Sequence, residues 1–354
     1  MVLPLLRLHG LRGGGSAARQ RRCAGAEMPP RNKNWEKFVI LAGLNIKVQN
    51  MAKKNWGGPW TEEKLDAFEK YVKAYLTIMN SYRDMYGWKL LYFDGFAGSG
   101  SRTQNEEVEE VQDALELFGS EVTVEDFNVY QGAAERVVKI ESEGMRSFDF
   151  YYFVDKSEEN CKLLDERLGQ YEISGRRHHL PLDANDAVKR LASTLHNNSN
   201  CKALAFLDPF GMQIDWESIE ALKGLPVDLW ILVPTGVIIN RLLERKVDKD
   251  KGLAHAEKLK SFFGMSEEEI RSFFYTEKKV QTLFGGDEMV ITKAEYSIRK
   301  IAQLYVERLK GVLPYVTEEP LVLYNTHNVP IYHLVFAAKN KTAMKIAQEI
   351  IKKQ

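Results

Sequence analysis

Three glycines follow a carboxylate in the stretch KLLYFDGFAGSGSR, residues 89–102, where an apolar run gives way to residues with little bulk. Gly95, Gly98 and Gly100 leave a backbone that a ligand can approach closely, because no Cβ stands in the way. The loop has no lysine, so it does not fit the phosphate-cradling pattern of nucleoside triphosphate sites. Its order, G-x-x-G-x-G, also differs from the G-x-G-x-x-G of dinucleotide sites. Asp94 and Phe96 with the glycines make an acid followed by F-x-G-x-G, which suits a cationic adenosyl cofactor. The carboxylate would face the cofactor's methionyl end while the glycines admit it to the backbone. A tight strand-to-helix turn that binds nothing is the alternative.

A loop of this kind works only if a strand delivers it, and the chain supplies several. WKLLYFDGF (88–96), FDFYYFVD (148–155), HHLPLD (178–183), KALAFLDPF (202–210) and VDLWILVPT (227–235) are apolar runs of strand length. KSEENCKLLDERLGQY, ANDAVKRLASTLHN and DWESIEALKGL lie between them and have helical patterns. Such alternation predicts an α/β fold, a doubly wound and mostly parallel sheet covered on both faces. Ligands in such sheets bind at the carboxyl ends of the strands. Upstream, GPWTEEKLDAFEKYVKAYLTIMNSY reads as a core-facing helix with Thr61 as N-cap and a stripe of Leu65, Phe68, Val72, Tyr75, Leu76 and Met79.

The 354 residues suffice for one large α/β domain with insertions or for two domains. Forty-nine basic residues balance forty-nine acidic ones, so net charge selects no partner class. Cys23, Cys161 and Cys201 are too scattered for a zinc or cluster site and fit a reducing compartment. No apolar run approaches the roughly eighteen residues of a membrane span, which predicts no membrane partner. The first 27 residues hold five arginines and no acid before Glu27. Residues 1–50 are therefore expected to lie outside the fold as a flexible appendage, a mitochondrial presequence or an extension upstream of Met51. The expected location is the cytoplasm, or the mitochondrion if the segment is a presequence. The fold proper is expected over residues 51–354.

DGFAGSGS is similar to motif I of class I S-adenosylmethionine-dependent methyltransferases, especially the D-x-F-x-G-S-G form of enzymes that methylate nucleobase amines. GPWTEEKL, YFDGFAGSGSR, FLDPFG and PTGVIINRLL, in that order, resemble the three-Cys-motif partner family over residues 55–352. The resemblance implies a methyltransferase-type Rossmann-like sheet with a C-terminal antiparallel hairpin, S-adenosylmethionine as cofactor, and pairing with an iron-sulfur type protein that carries a three-cysteine motif.

On that basis Asp155, ending the second strand, is expected to accept hydrogen bonds from the cofactor ribose; a plain strand-end turn residue is the alternative. The gap from the glycine loop is about threefold longer than the usual ~20 residues, which predicts an insertion. EEVEEVQDALELF (106–118) would belong to it, with GAAERVVKIE from Gly132 as the displaced crossover helix. Asp183 would bind the adenine amino group and Ala184 would offer a backbone N–H, whereas Asn185 and Asp186 could cap the following helix.

Asp208, Pro209 and Phe210 are the candidate catalytic residues. An aromatic amine is a poor nucleophile, so a site must hold it in line and accept its protons as charge develops. Asp208 and the Pro209 carbonyl would accept, and Phe210 would stack on the base. The segment resembles the acid-Pro-Pro-aromatic motif of nucleobase amino-methyltransferases and departs from it at the third and fourth places.

A helical insertion is expected over about 237–310, where Arg241, Lys246, Lys249 and Lys251 interleave with acids as a solvated mixed face. Two strands joined by Asn325–Pro330 should follow. His327 and His333 have no ligand partners at metal spacing and read as structural or surface residues. The expected activity is N-methylation of an exocyclic amine in RNA or DNA. A noncatalytic cofactor-binding partner protein and a methyltransferase of small molecules or proteins are the alternatives.

Overall fold

The computed structural model describes residues 59–100, 132–243, 246–247, 253, 255–281, 287–295, 297–325 and 327–354. The 1–50 segment and the acidic pattern at 106–118 lie outside the described residues, as do Lys249 and Lys251. The chain runs α1 (Pro59–Tyr86), β1 (Lys89–Asp94), α2 (Ala133–Ser142), β2 (Phe150–Asp155), α3 (Glu158–Leu168), β3 (Arg176–Pro181), α4 (Ala184–Asn197), β4 (Cys201–Leu207), α5 (Trp216–Glu220) and β5 (Val227–Val233). A π-turn (Thr235–Ile239) leads into α6 (Asn240–Leu242), β6 (Lys246–Val247), α7 (Ala256–Phe263), α8 (Glu267–Phe274), β7 (Tyr275–Gln281), β8 (Asp287–Lys293) and α9 (Ser297–Lys310). β9 (Tyr315–Val316), β10 (Leu321–Tyr324), β11 (Pro330–Ala338) and α10 (Lys341–Ile351) complete it.

The fold is α/β with a Rossmann-like central sheet. Its order is β3-β2-β1-β4-β5-β11-β10, with β9 paired to β11; the first five strands are parallel, and β11 runs antiparallel to both β5 and β10. Runs such as FYYFVD and VDLWILV are apolar along their length because helices cover both faces. Strand order reverses between β1 and β4, so their carboxyl ends mark the switch point of the sheet. The expected C-terminal hairpin is present, and the Asn325 side chain closes its turn by accepting from the His327 and Val329 N–H groups.

The long α1 helix covers one face. Leu65, Phe68, Val72, Tyr75 and Leu76 are buried as their spacing predicts, and Met79 packs partly against the same cluster. Phe68 stacks on Phe206 at 4.2 Å and meets Trp230 edge-on at 6.4 Å. Tyr71 donates to Asp228 at 2.7 Å. Burial pushes the Asp228 carboxyl up to about 7. Thr61 is not the N-cap: the helix already begins at Pro59, whose missing N–H costs nothing in a first turn, and Thr61 is buried inside it.

The insertion differs from its all-helical expectation. Besides α7, α8 and α9 it carries a three-stranded antiparallel sheet, β6-β8-β7. YTEKKVQ and DEMVITK are short and mix charged with apolar residues without a clear period, so their spacing does not mark them as strands. Gly264, in the left-handed region at φ 60°, ends α7, and a Ser266–Glu269 capping box starts α8.

Phe68 is the residue on which α1 and the sheet most depend. Phe68→Ala is expected to destabilise the protein by about 3–5 kcal/mol through the cavity left between α1 and β4. Urea unfolding followed by far-UV circular dichroism would measure it, and a loss below about 1 kcal/mol would show that α1 is not a core element.

Candidate functional site

Asp94 ends β1 and pairs in register with Phe206, two residues before Asp208. Both carboxylates therefore stand at the point where strand order reverses. Asp94 is 2% exposed, accepting from Phe96 N–H at 3.2 Å and from Tyr92 hydroxyl at 3.1 Å. Burial raises its carboxyl to about 7; the Asp208 charge pushes the same way, while the Phe96 N–H, the Tyr92 hydroxyl and Lys64 oppose it.

The partner of Asp208 is Lys64, which the sequence reading missed. Its Nζ lies 2.8 and 2.6 Å from the two carboxylate oxygens, and the residue is only 5% exposed. Lys64 also sits 4.9 Å over the Trp60 ring. Trp60 stacks on Tyr332 at 5.3 Å, and the Tyr332 hydroxyl donates to the Phe210 carbonyl at 3.3 Å. The first turns of α1 are thus part of the site. A signal was available: Lys64 falls four residues after Trp60 and four before Phe68, a charged residue within a buried helical stripe.

The glycine loop crosses from β1 toward β2. Gly95 N–H donates to the Phe206 carbonyl at 2.9 Å and Ala97 N–H to the Val154 carbonyl at 2.9 Å. A Cβ on Gly95 would stand 2.5 Å from Leu207 Cδ2, and one on Gly100, at φ 81°, would stand 2.6 Å from Leu164 Cδ1. These two glycines are therefore needed for packing as well as for any ligand. Gly98, at φ 59°, has no atom of the described residues within 4 Å of its would-be Cβ.

The remaining candidates lie at neighbouring strand ends. Asp155 Oδ1 accepts from Ser157 N–H at 2.8 Å and Asn160 Nδ2 at 3.2 Å, and among the described residues Oδ2 has no hydrogen-bond partner. Asp183 caps α4 by accepting from Asn185 N–H at 2.8 Å, and its Oδ2 pairs with Lys156 at 2.8 Å. The cap is thus Asp183 itself; Asn185 instead bridges to Asp215 N–H and the Gln213 carbonyl. Ala184 opens the helix, where backbone N–H groups have no intrahelical partner. Pro209 ends the β4 ladder, and Phe210 packs partly buried against the α1 cluster with its N–H donated to Gln213 Oε1 at 2.9 Å.

The sequence-selected residues fall at the carboxyl ends of β1 to β4, with Asp94 and Asp208 coupled electrostatically. Among the described residues no group of three His, Cys, Asp or Glu side chains could hold a metal ion. No helix there is long and apolar enough to cross a membrane. Cys161 and Cys201 are buried free thiols. No protein-family model matches the chain, and no curated protein sequence matches it either.

Two outcomes are expected. The folded-state value of Asp94, about 7, exceeds an unfolded value of about 3.9, so the folded state holds a proton that the unfolded state has lost between those limits. Stability should therefore fall as pH rises from about 4 to about 7, by at most ~1.4 kcal/mol per unit from this residue, and Asp94→Asn should remove that component. Urea titrations at several pH values would measure it; equal slopes in both proteins would exclude the assignment. Lys64→Met should cost about 2 kcal/mol, below the ~3–5 of a wholly buried pair because Asp208 keeps some solvent contact. Combining it with Asp208→Asn should cost less than the sum of the single changes in a double-mutant cycle, and strict additivity would mean that the pair is not coupled.

Proposed function

We propose that the chain is an S-adenosylmethionine-dependent N-methyltransferase acting on an exocyclic amine of a nucleobase. The observation that carries the reading is a shortage of positive charge: one ammonium, Lys64, serves both Asp94 and Asp208 at the strand-order reversal. Ionising Asp94 leaves the buried cluster one positive charge short, and a cationic ligand would supply it. The residues fit that cofactor. Asp94 would face its amino group, Gly98 and Phe96 would line its path, Asp155 Oδ2 would take the ribose, and Asp183 with the Ala184 N–H would meet the adenine. When bound, it supplies a methyl group on a positively charged sulfur.

The protein's own contribution is placement and charge. Asp208 and the Pro209 carbonyl would accept hydrogen bonds from the amine N–H groups, orienting the nitrogen and stabilising the positive charge it gains, with the Asp208 carboxylate as the group able to take the released proton. Lys64 fixes the orientation of Asp208 while each carboxylate oxygen keeps a further lone pair for the amine. Phe210 offers a ring face to the base. The resemblance of four ordered motifs to the three-Cys-motif partner family supports the cofactor and suggests a protein partner. The hold of Lys64 on both Asp208 oxygens favours a second reading, a cofactor-binding module that transfers nothing.

Asp208→Asn decides between them, because it keeps the shape and replaces one acceptor with a donor. With labelled cofactor and total tRNA, rRNA, DNA and protein as acceptors, transfer should enter nucleic acid and fall about a hundredfold or more in the variant. Cofactor affinity by calorimetry should stay within a few fold, since the lost interaction belongs to the transition state. Label in protein alone would reject the nucleobase, and cofactor binding without transfer to any acceptor would leave the module.

A further inference from the structure

Side chains alternate along β11. Tyr332 and Phe336 face α1, where they meet Trp60 at 5.3 Å and Tyr71 at 4.8 Å, so His333 points to the other face of the sheet. There it lines a cavity of about 580 Å³ between α9 and the β10–β11 end of the sheet. This cavity lies across the sheet from the Asp94, Lys64 and Asp208 cluster.

His333 is 6% exposed, and among the described residues its ring has one hydrogen-bond partner, the Thr235 hydroxyl, 2.7 Å from Nδ1. Thr235 is fully buried, and this ring is its hydroxyl's partner. The buried hydroxyl proton has an acceptor only if the hydroxyl donates to Nδ1, which assigns the ring proton to Nε2, where no described residue accepts it. The ring is neutral at physiological pH because burial lowers its value to about 4. Asn240 lines the same cavity. Its Oδ1 accepts from Lys293 Nζ at 3.0 Å and Ser297 Oγ at 2.5 Å, which fixes the amide and leaves its two N–H donors without a partner among the described residues. The polar floor of the cavity thus presents neutral donors.

The walls are of another kind. Ile298, Ala302 and Val306 form one stripe of α9 at a spacing of four, and Pro320, Val322 and Pro330 stand on the strand side. Two apolar walls around a donor floor favour a flat ring with carbonyl acceptors on its edge. Arg299, Glu318 and Glu319 line the cavity as well, two acids against one base, a balance that disfavours a phosphate there. We propose that this cavity is a second ligand site, separate from the carboxylate cluster, and that it takes a neutral carbonyl-bearing heterocycle of the nucleoside class.

Inosine is the probe, because it carries a ring carbonyl and no charge. Calorimetry on the full chain should show one site for inosine that S-adenosylmethionine does not displace. Gln303→Trp, on an exposed residue at the cavity, should abolish binding while leaving the melting temperature unchanged. His333→Phe, which keeps the plane and removes the donor, should weaken binding about tenfold. The inference is overturned if inosine does not bind, if it binds equally well to Gln303→Trp, or if S-adenosylmethionine competes with it. None of these results depends on methyl transfer, so the inference and the proposed activity stand or fall separately.

Discussion

Two carboxylates share one ammonium at the place where the sheet's strand order reverses, and the surrounding elements are arranged to sustain that imbalance. Isolated buried charge is expensive, by several kcal/mol per ion even after relaxation, so a group in this position is paired or protonated. Asp208 takes the first course through Lys64 and Asp94 the second, held near its titration point at about 7. The two solutions are linked, because the charge on Asp208 is one reason that Asp94 holds its proton. A site poised this way responds to any cation that enters it, since the energy needed to ionise Asp94 falls as compensating charge arrives.

The imbalance persists only because Lys64 cannot swing out to water. Trp60 and Phe68 flank it on the same face of α1, and each is locked by aromatic neighbours, Tyr332 on one side and Phe206 on the other. Farther along the helix, Tyr71 reaches Asp228 at the start of β5, tying α1 to a second strand through a buried hydrogen bond. Such rings have two side-chain torsions to fix and bury large apolar areas, so they anchor the helix at small entropic cost. The 28-residue length of α1 follows from its task of covering the sheet from the β1–β2 end to the β10–β11 end.

The strands were legible because fully buried parallel strands read as continuous apolar runs that break at turn residues; their order in the sheet was not. The acids that close those runs, Asp94, Asp155 and Asp208, could be picked out for the same reason. Lys64 stood out only as a charge within a buried helical stripe; its partner lies 144 residues away, and no local pattern encodes that contact. The dual duty of Gly95 and Gly100 was hidden likewise, because the atoms that exclude a Cβ belong to β4 and α3. Asp183 was assigned to a ligand while its neighbours were assigned to the cap. Asp, Asn and Asp within four positions are all competent caps, and only the backbone path decides which one performs it. The β6–β8 strands were misread because short segments that mix charged and apolar residues without a clear period do not distinguish strand from helix.

The two faces of the sheet differ in electrostatic character, yet one short stretch touches both. On the α1 face Asp94 and Asp208 are undersupplied with positive charge; on the α9 face the neutral Asn240 and His333, held by Lys293, Ser297 and Thr235, stand beside Arg299, Glu318 and Glu319. The π-turn joins them. A Cβ on Gly211, just past Phe210, would stand 2.9 Å from Ile238 Cδ1, and one on Gly236 would collide with the Pro330 carbonyl at the start of β11. The turn is thereby fixed against β11 on one side and against the segment that follows Asp208 on the other. Close-packed contacts of this kind have little slack to absorb a displacement. The cavity and the carboxylate cluster are therefore connected by close-packed backbone rather than by a loose linker.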